Sequence, residues 1–299
     1  MEELLALPLL CFACCYFITK KLAIFLRKRN IVGIDIHKED KPKIAEMGGI
    51  AVLLTLIPSF LILYIYFNNS SILVCMLAYL ITSLFGALDY FHTFKPAQKI
   101  LILFLIGLLI SAFLNFDIFG AMIFSIIFMV SCNLTNMLAG FNGLEVGNGL
   151  IIFIFLSILL FIKNFTVFAI LALIYASTLL AFLFHNKYPA KVFPGDVATL
   201  PIGALFVTIV FICKIPLALL FLAPQAFDAF LKFISAGIIY REKGKPTVLK
   251  NGILYPPKGE WLSLPRLLLH LRPTTEPKLV LEIWIIQIIT CLIATLIII

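Results

Sequence analysis

The chain has 299 residues, 63% of them hydrophobic and only 13% charged, with a formal net charge of +8. Soluble domains have an apolar share of about 45–50%, so an ordinary soluble fold is excluded and an integral membrane protein is expected. The seven cysteines, at 11, 14, 15, 75, 132, 213 and 291, lie in or at the ends of apolar stretches, which reads as packing rather than a disulfide framework or a zinc site.

Ten apolar runs follow one another, at about 4–26, 47–67, 71–90, 99–114, 118–134, 148–162, 166–184, 197–212, 214–235 and 279–299. Each is near the length a helix needs to cross a ~30 Å hydrocarbon layer, and 148–162 is the shortest. The first carries Glu2 and Glu3 ahead of it and "RKRN" behind it, so it reads as a spanning helix rather than a cleavable signal. The connections alternate in charge. One set holds "RKRNIVGIDIHKEDKPKIAE", "HTFKPAQK", "NLTNMLAGFNGLEVGNG", "HNKYPAKVFPGD" and 236–278, whereas the short "FNNS", "NFD", "KN" and "CK" carry only Lys163 and Lys214. Loops rich in Lys and Arg stay in the cytoplasm, so the first set is expected there, with both termini outside. The resulting one-sided positive face suits anionic lipid heads or phosphorylated substrates. With no internal repeat, low-complexity tract or linker, 1–299 reads as one transmembrane domain and 236–278 as a cytoplasmic insertion within it. Inside that insertion "TVLKNGILY" sets Asn251-Gly252 between β-prone stretches, a two-residue hairpin signal.

Acids and amides collect at the same ends of the helices as the basic loops. Asp89 ends the third run and Lys99 opens the fourth. Asn133 and Asn136, three apart, project from one helical face, and the glycines of "AGFNGLE" let the backbone turn and approach a ligand. Asp196 follows Pro194-Gly195 at the start of the eighth run. That place suits an N-cap, and equally a phosphate or a cation-bridged phosphate. Asp89, Asn136 and Asp196 offer oxygen ligands of the kind Mg²⁺ takes, one or two carboxylates together with substrate phosphates. In the ninth run Asp228 and Lys232 stand i,i+4, one turn after Pro224, and are expected to pair or to face a cavity.

The order of "AEMGG" at 45–49, Asp89 with Lys99 ten residues on, "NLTNMLAGFNGLE", "FPGD" and "PQAFD" resembles the polyprenyl-phosphate N-acetylhexosamine-1-phosphate transferase superfamily over nearly the whole chain. "AGFNGLE" is similar to the eukaryotic and archaeal UDP-GlcNAc:dolichyl-phosphate GlcNAc-1-phosphotransferase branch. The bacterial cell-wall branch has Asp in this motif, where this chain has Ala139 and Asn142, and a histidine cluster in the last loop, where this chain has only His270. The resemblance implies an all-α polytopic fold of about ten transmembrane helices with a cytoplasmic-face active site. It implies transfer of N-acetylglucosamine-1-phosphate from UDP-GlcNAc to a polyisoprenoid (dolichyl-type) phosphate with release of UMP, as the first step of lipid-linked oligosaccharide synthesis for N-glycosylation. It further implies Mg²⁺ as cofactor, with Mn²⁺ as a substitute, a homodimer, and the endoplasmic reticulum or an archaeal cell membrane as location; nucleic acid is not an expected partner. Carried over by position, Asp89 and Lys99 are catalytic, Asn136 and Asp196 hold the metal, and Glu46, Asn142, Phe193, Arg241, Lys243 and Arg272 bind the donor, with Asn133 as a further polar residue. One departure stands out: the family has two adjacent aspartates after the third helix, and here the second is Tyr90. The rival readings are another UDP-aminosugar as donor, and a lipid or anion transporter, which would place its polar groups nearer the membrane midplane.

Overall fold

Backbone polar groups inside a bilayer must be paired within the protein, which leaves the helix as the form open to long apolar runs. The computed structural model describes residues 2–236, 247–257 and 262–299. Helices cover all ten runs: α1 (Glu2–Lys28), α2 (Gly49–Phe67), α3 (Ser71–His92), α4 (Pro96–Phe113), α5 (Ile118–Met137), α6 (Leu144–Ile162), α7 (Thr166–Asn186), α8 (Asp196–Ile212), a 3₁₀ stretch Pro216–Leu222 leading into α9 (Ala223–Ala236), and, after a short α10 (Leu264–Leu271), α11 (Glu276–Ile298). Among the described residues nine helical segments are long and apolar enough to cross a membrane, and the shorter α8 makes the tenth apolar helix. The protein is an all-α polytopic membrane protein.

Several boundaries differ from the sequence reading for local reasons. α6 begins at Leu144 rather than 148, because Gly143 at φ 84° turns the chain sharply and Glu145 falls in the first turn, where the helix dipole favours an acid. α4 begins at Pro96, whose missing N–H costs nothing at a helix start. The ninth run is a 3₁₀ stretch followed by α9, so the break precedes Pro224, which sits in the first turn of α9 where proline is tolerated. In the 236–278 insertion the expected hairpin forms from β3 (Val248–Lys250) and β4 (Ile253–Tyr255), with Lys250 opposite Ile253 and both turn residues, Asn251 and Gly252, at positive φ. α10 and a second antiparallel pair, β1 (Val32–Ile34) with β2 (Lys43–Ala45), were not expected.

α8 is the hub. Val197 through Val210 are all buried, against α3 and α5 chiefly, while α7 is enclosed by α1 and α6. Packing this close needs small residues: a Cβ on Gly203 would run into the backbone of Ser131 and Cys132 on α5. Leu9, Ile65, Ile118 and Leu296 remain largely exposed, as lipid-facing side chains do. Buried hydroxyls such as Thr55, Thr82, Thr178 and Thr208 satisfy themselves by donating to the carbonyl four residues back.

At one end of the bundle, backbone bonds stitch distant loops together. Phe193 N donates to Ala45 O (2.7 Å), Gly48 N to Phe193 O (2.9 Å) and Gly49 N to Pro194 O (2.9 Å). Gly49 also abuts Ala198, so the start of α2 lies directly against the start of α8.

The α5–α8 contact gives a stability test. Gly203→Ala meets backbone that cannot yield as a side chain can, and is expected to cost about 1–3 kcal/mol and to lower Tm in detergent by several degrees. An unchanged melting curve would mean that the two helices stand farther apart than described.

Candidate active site

Asp89 occupies the last turn of α3, and its Oδ1 accepts from the backbone N–H of Phe94 (3.1 Å), which closes the turn into α4. One turn before it, Gly86 lies on the backbone of Asp196 and Val197 with no room for a Cβ. The end of α3 and the start of α8 therefore touch, and Lys99 of α4 bridges them: its Nζ pairs with Asp89 Oδ2 and, at 3.0 Å, with Asp196 Oδ2. Asp196 is not an N-cap. Gly195 holds that position at φ 64° and ψ 170°, a conformation that favours glycine, so the Asp196 carboxylate is free to reach the lysine. Asn136, in the last turn of α5, joins from the other side. Its Oδ1 accepts from Thr199 Oγ1 (2.9 Å), one turn into α8, while Thr135 Oγ1 donates to Thr199 O (2.8 Å). Asp89, Lys99, Asn136 and Asp196 thus converge from four helices.

Two clefts flank this cluster. A polar one of about 310 Å³ is lined by Glu46, Asn136, Asn142, Phe193 and Asp196 together with Asp35, His37, Phe141, Glu145 and Thr199. An apolar one of about 370 Å³ is lined by Lys99, Asn133 and Asn136 among Phe94, Met129, Val130, Leu134 and Phe233. Asn136 is common to both. Asn133 lines only the second, with its Nδ2 donating to Met129 O (2.8 Å). Tyr90, in the place of the family's second aspartate, packs edge-on against Phe91. Arg272 is exposed after α10 and lines neither cleft; Arg241 and Lys243 lie outside the described residues.

Burial, and then the nearby Asp196 charge, push the Glu46 carboxyl up to about 7. Beside Lys99, the Asp196 carboxyl, the Asn136 amide and, from the polar cleft, the Glu46 carboxyl offer oxygen ligands of the kind that suit a hard cation such as Mg²⁺. Among the described residues no three His, Cys, Asp or Glu side chains form a closed metal cage, and Mg²⁺ characteristically completes its shell with water and substrate phosphates instead.

Other residues shape the site without standing out in the sequence. Asn142 N donates to Glu276 Oε1 (2.7 Å) and Asn142 Nδ2 to Asp35 Oδ2 (3.0 Å), while Lys38 pairs with Asp35 (3.2 Å) and with Glu276. The His37 ring stacks on Phe141 at 4.6 Å, and burial lowers its pKa. The signal in the sequence was "GIDIHKED", where an apolar–polar alternation precedes a charge run. Asp228 and Lys232 do pair, at 2.6 Å. Lys232 Nζ also donates to Met137 O at the end of α5 (2.5 Å), and Asp228 Oδ1 accepts from Leu264 N at the start of α10 (2.8 Å). The pair is a brace that holds α5 just beyond Asn136.

Residues 72–214, from α3 to just past α8, match glycosyl transferase family 4. A Methanocaldococcus jannaschii protein provisionally named a glycosyltransferase is 43% identical over 274 residues, 88% of each chain. The chain belongs to glycosyl transferase family 4. A Sulfolobus acidocaldarius family member provisionally named UDP-N-acetylglucosamine–dolichyl-phosphate N-acetylglucosaminephosphotransferase is 30% identical over 304 aligned positions, covering 92% of this chain and 90% of its own. The phospho-N-acetylmuramoyl-pentapeptide-transferase of Dictyoglomus thermophilum is 27% identical over 273, covering 85% and 88%. The family 4 match spans every residue of the four-helix cluster, and the protein is a membrane-embedded glycosyl-1-phosphate transferase.

Glu46 makes stability depend on pH in a defined direction. Its folded pKa of about 7 lies above the ordinary 4.5, so the folded state holds the proton more tightly; the contribution is complete below pH 4.5 and is lost as pH rises through 7. In detergent, the wild-type Tm should fall between about pH 5 and 8 relative to Glu46→Gln. Parallel pH profiles would show that Glu46 ionises normally in the folded protein.

Proposed function

We propose that the chain transfers N-acetylglucosamine-1-phosphate from UDP-GlcNAc to a polyisoprenoid phosphate of dolichyl type, releasing UMP, the first step in building a lipid-linked oligosaccharide for N-glycosylation. One observation carries this reading: Asn136 lines both clefts, and Lys99 of the apolar cleft is bonded to Asp196 of the polar one. A reaction between a water-soluble diphosphate sugar and a lipid phosphate needs such a junction. The names of the archaeal relatives supply the same substrates.

The second pKa of a phosphate monoester is about 6, so the acceptor is mostly dianionic near neutrality and scarcely needs a base. One of its oxygens forms a bond to the β-phosphorus of the donor. The bond from that phosphorus to the oxygen bridging it to the α-phosphorus breaks, and the electron pair leaves on UMP. The difficulty lies in bringing two anions together and in stabilising charge on the transferring phosphoryl group. Lys99 supplies fixed positive charge at the junction, and Asp89 positions its ammonium. Asp196 and Asn136 would hold Mg²⁺, which when bound neutralises phosphoryl charge. With Tyr90 turned to Phe91, the mechanism rests on Asp89 without a carboxylate pair. Phe193 stacks on the base, Asn142 reads its edge, and Glu46 shapes the sugar end of the cleft. The distribution of Lys and Arg supports a cytoplasmic side for both clefts, and the sources of the relatives favour an archaeal cell membrane.

Membranes containing the protein, given UDP-GlcNAc, polyprenyl phosphate and Mg²⁺, should release UMP. Asp196→Ala and Lys99→Met should each lower kcat by about 10²–10³-fold, whereas Phe193→Ala should act mainly by raising the KM for the donor. UMP release only with a different UDP-aminosugar would change the substrate and keep the reaction. No release with any such donor would leave the transport reading.

A further inference from the structure

The polar cleft contains one amide whose orientation is dictated by its surroundings. Asn142 is 5% exposed, and its Nδ2 donates to Asp35 Oδ2 at 3.0 Å. An ionised carboxylate only accepts, so the group facing it must be the NH₂ end of the amide. Turning the amide over would set Asn142 Oδ1 against Asp35 Oδ2, two acceptors at hydrogen-bonding distance with no proton between them. Asp35 is itself fixed: it is 4% exposed, takes the backbone N–H of His37 on Oδ1 (3.2 Å), and pairs with Lys38. Lys38 also pairs with Glu276, whose other oxygen accepts the backbone N–H of Asn142 at 2.7 Å. Two segments far from it in the chain thus lock both the backbone and the side chain of Asn142.

We infer that Asp35 is a specificity-determining positioning residue: by fixing the Asn142 amide it makes the cleft select a uridine over a cytidine nucleotide. The inference rests on the assignment of Asn142 to the base edge given above. Uracil presents N3–H as a donor beside the O4 acceptor, and cytosine presents N3 as an acceptor beside the N4 amino donor. An amide can pair with either, but only by exchanging the places of its oxygen and nitrogen. Asp35 forbids that exchange and leaves Oδ1 as the acceptor for N3–H, with the second Nδ2 hydrogen for O4. Opposite cytosine the same arrangement sets acceptor against acceptor and donor against donor. A site with buried polar groups of fixed order rejects the mismatched ligand far more strongly than an apolar pocket can. Asp35 does not touch the base in this scheme and acts only through Asn142.

The test is calorimetric binding of UDP and of CDP, each with Mg²⁺, to the purified full-length protein in detergent. The wild type should bind UDP at least about tenfold more tightly than CDP. In Asp35→Asn the amide can adopt either orientation, and the ratio should narrow to within about threefold, mainly because CDP binds better. Asp35→Ala, which removes the acceptor altogether, should narrow it likewise and serves if Asp35→Asn does not fold. A wild-type ratio retained in both variants overturns this inference while UDP binding and UMP release by the wild type still stand. A wild type that binds no UDP overturns the donor assignment as well.

Discussion

The site depends on one ammonium group between two carboxylates. Asp89 at the end of α3 and Asp196 at the start of α8 are brought together by helices packed closely enough that Gly86 has no room for a side chain. In a half-buried, low-dielectric setting two such charges repel strongly, and Lys99 removes the repulsion by pairing with both. The cation is therefore structural before it is functional. The tight turn from α3 into α4, closed by the Phe94–Asp89 bond, brings Lys99 within reach.

Around this bridge the helix ends are held by backbone rather than by side chains. The segments 45–49 and 192–195, almost 150 residues apart, exchange main-chain hydrogen bonds as adjacent strands do. This explains the glycines in both. Gly48 and Gly49 admit the neighbouring chain, and Gly195 takes a conformation that frees the Asp196 side chain from capping its own helix. On the far side, the brace from Lys232 to the Met137 carbonyl fixes the end of α5 and with it Asn136.

Much of this was legible in the sequence, because an acid or amide in so apolar a chain stands out: Asp89, Lys99, Asn136 and Asp196 are conspicuous for that reason, and Asn251-Gly252 announces its hairpin. What stayed hidden has physical causes. Thr135 and Thr199 look like the many hydroxyls that bond within their own helix, as Thr55 and Thr208 do, and only the fold shows that they tie α5 to α8. Asp35, Lys38 and Glu276 read as solvated loop charges until three separate segments are brought into contact. The 3₁₀ stretch at 216–222 has the composition of the α-helices around it, and β1 and β2, at three residues each, are too short to show a period of two. α10 had a recognisable start, with Ser263 accepting from Arg266 N and Pro265 in the first turn, masked by the charged connector on either side.

The apolar cleft differs from the polar one in what surrounds it. Ile100, Val130 and Phe233 along its wall are 38%, 41% and 44% exposed, on helices whose outer faces meet hydrocarbon, so the cleft is open sideways. A ligand with a long isoprenoid tail can enter by diffusing within its leaflet and need never be extracted from it. Its effective concentration is then a surface mole fraction rather than an amount per volume. After reaction the two products separate into different phases, the nucleotide into water and the sugar-bearing lipid along the membrane plane, so the reverse reaction requires that they meet again across that boundary.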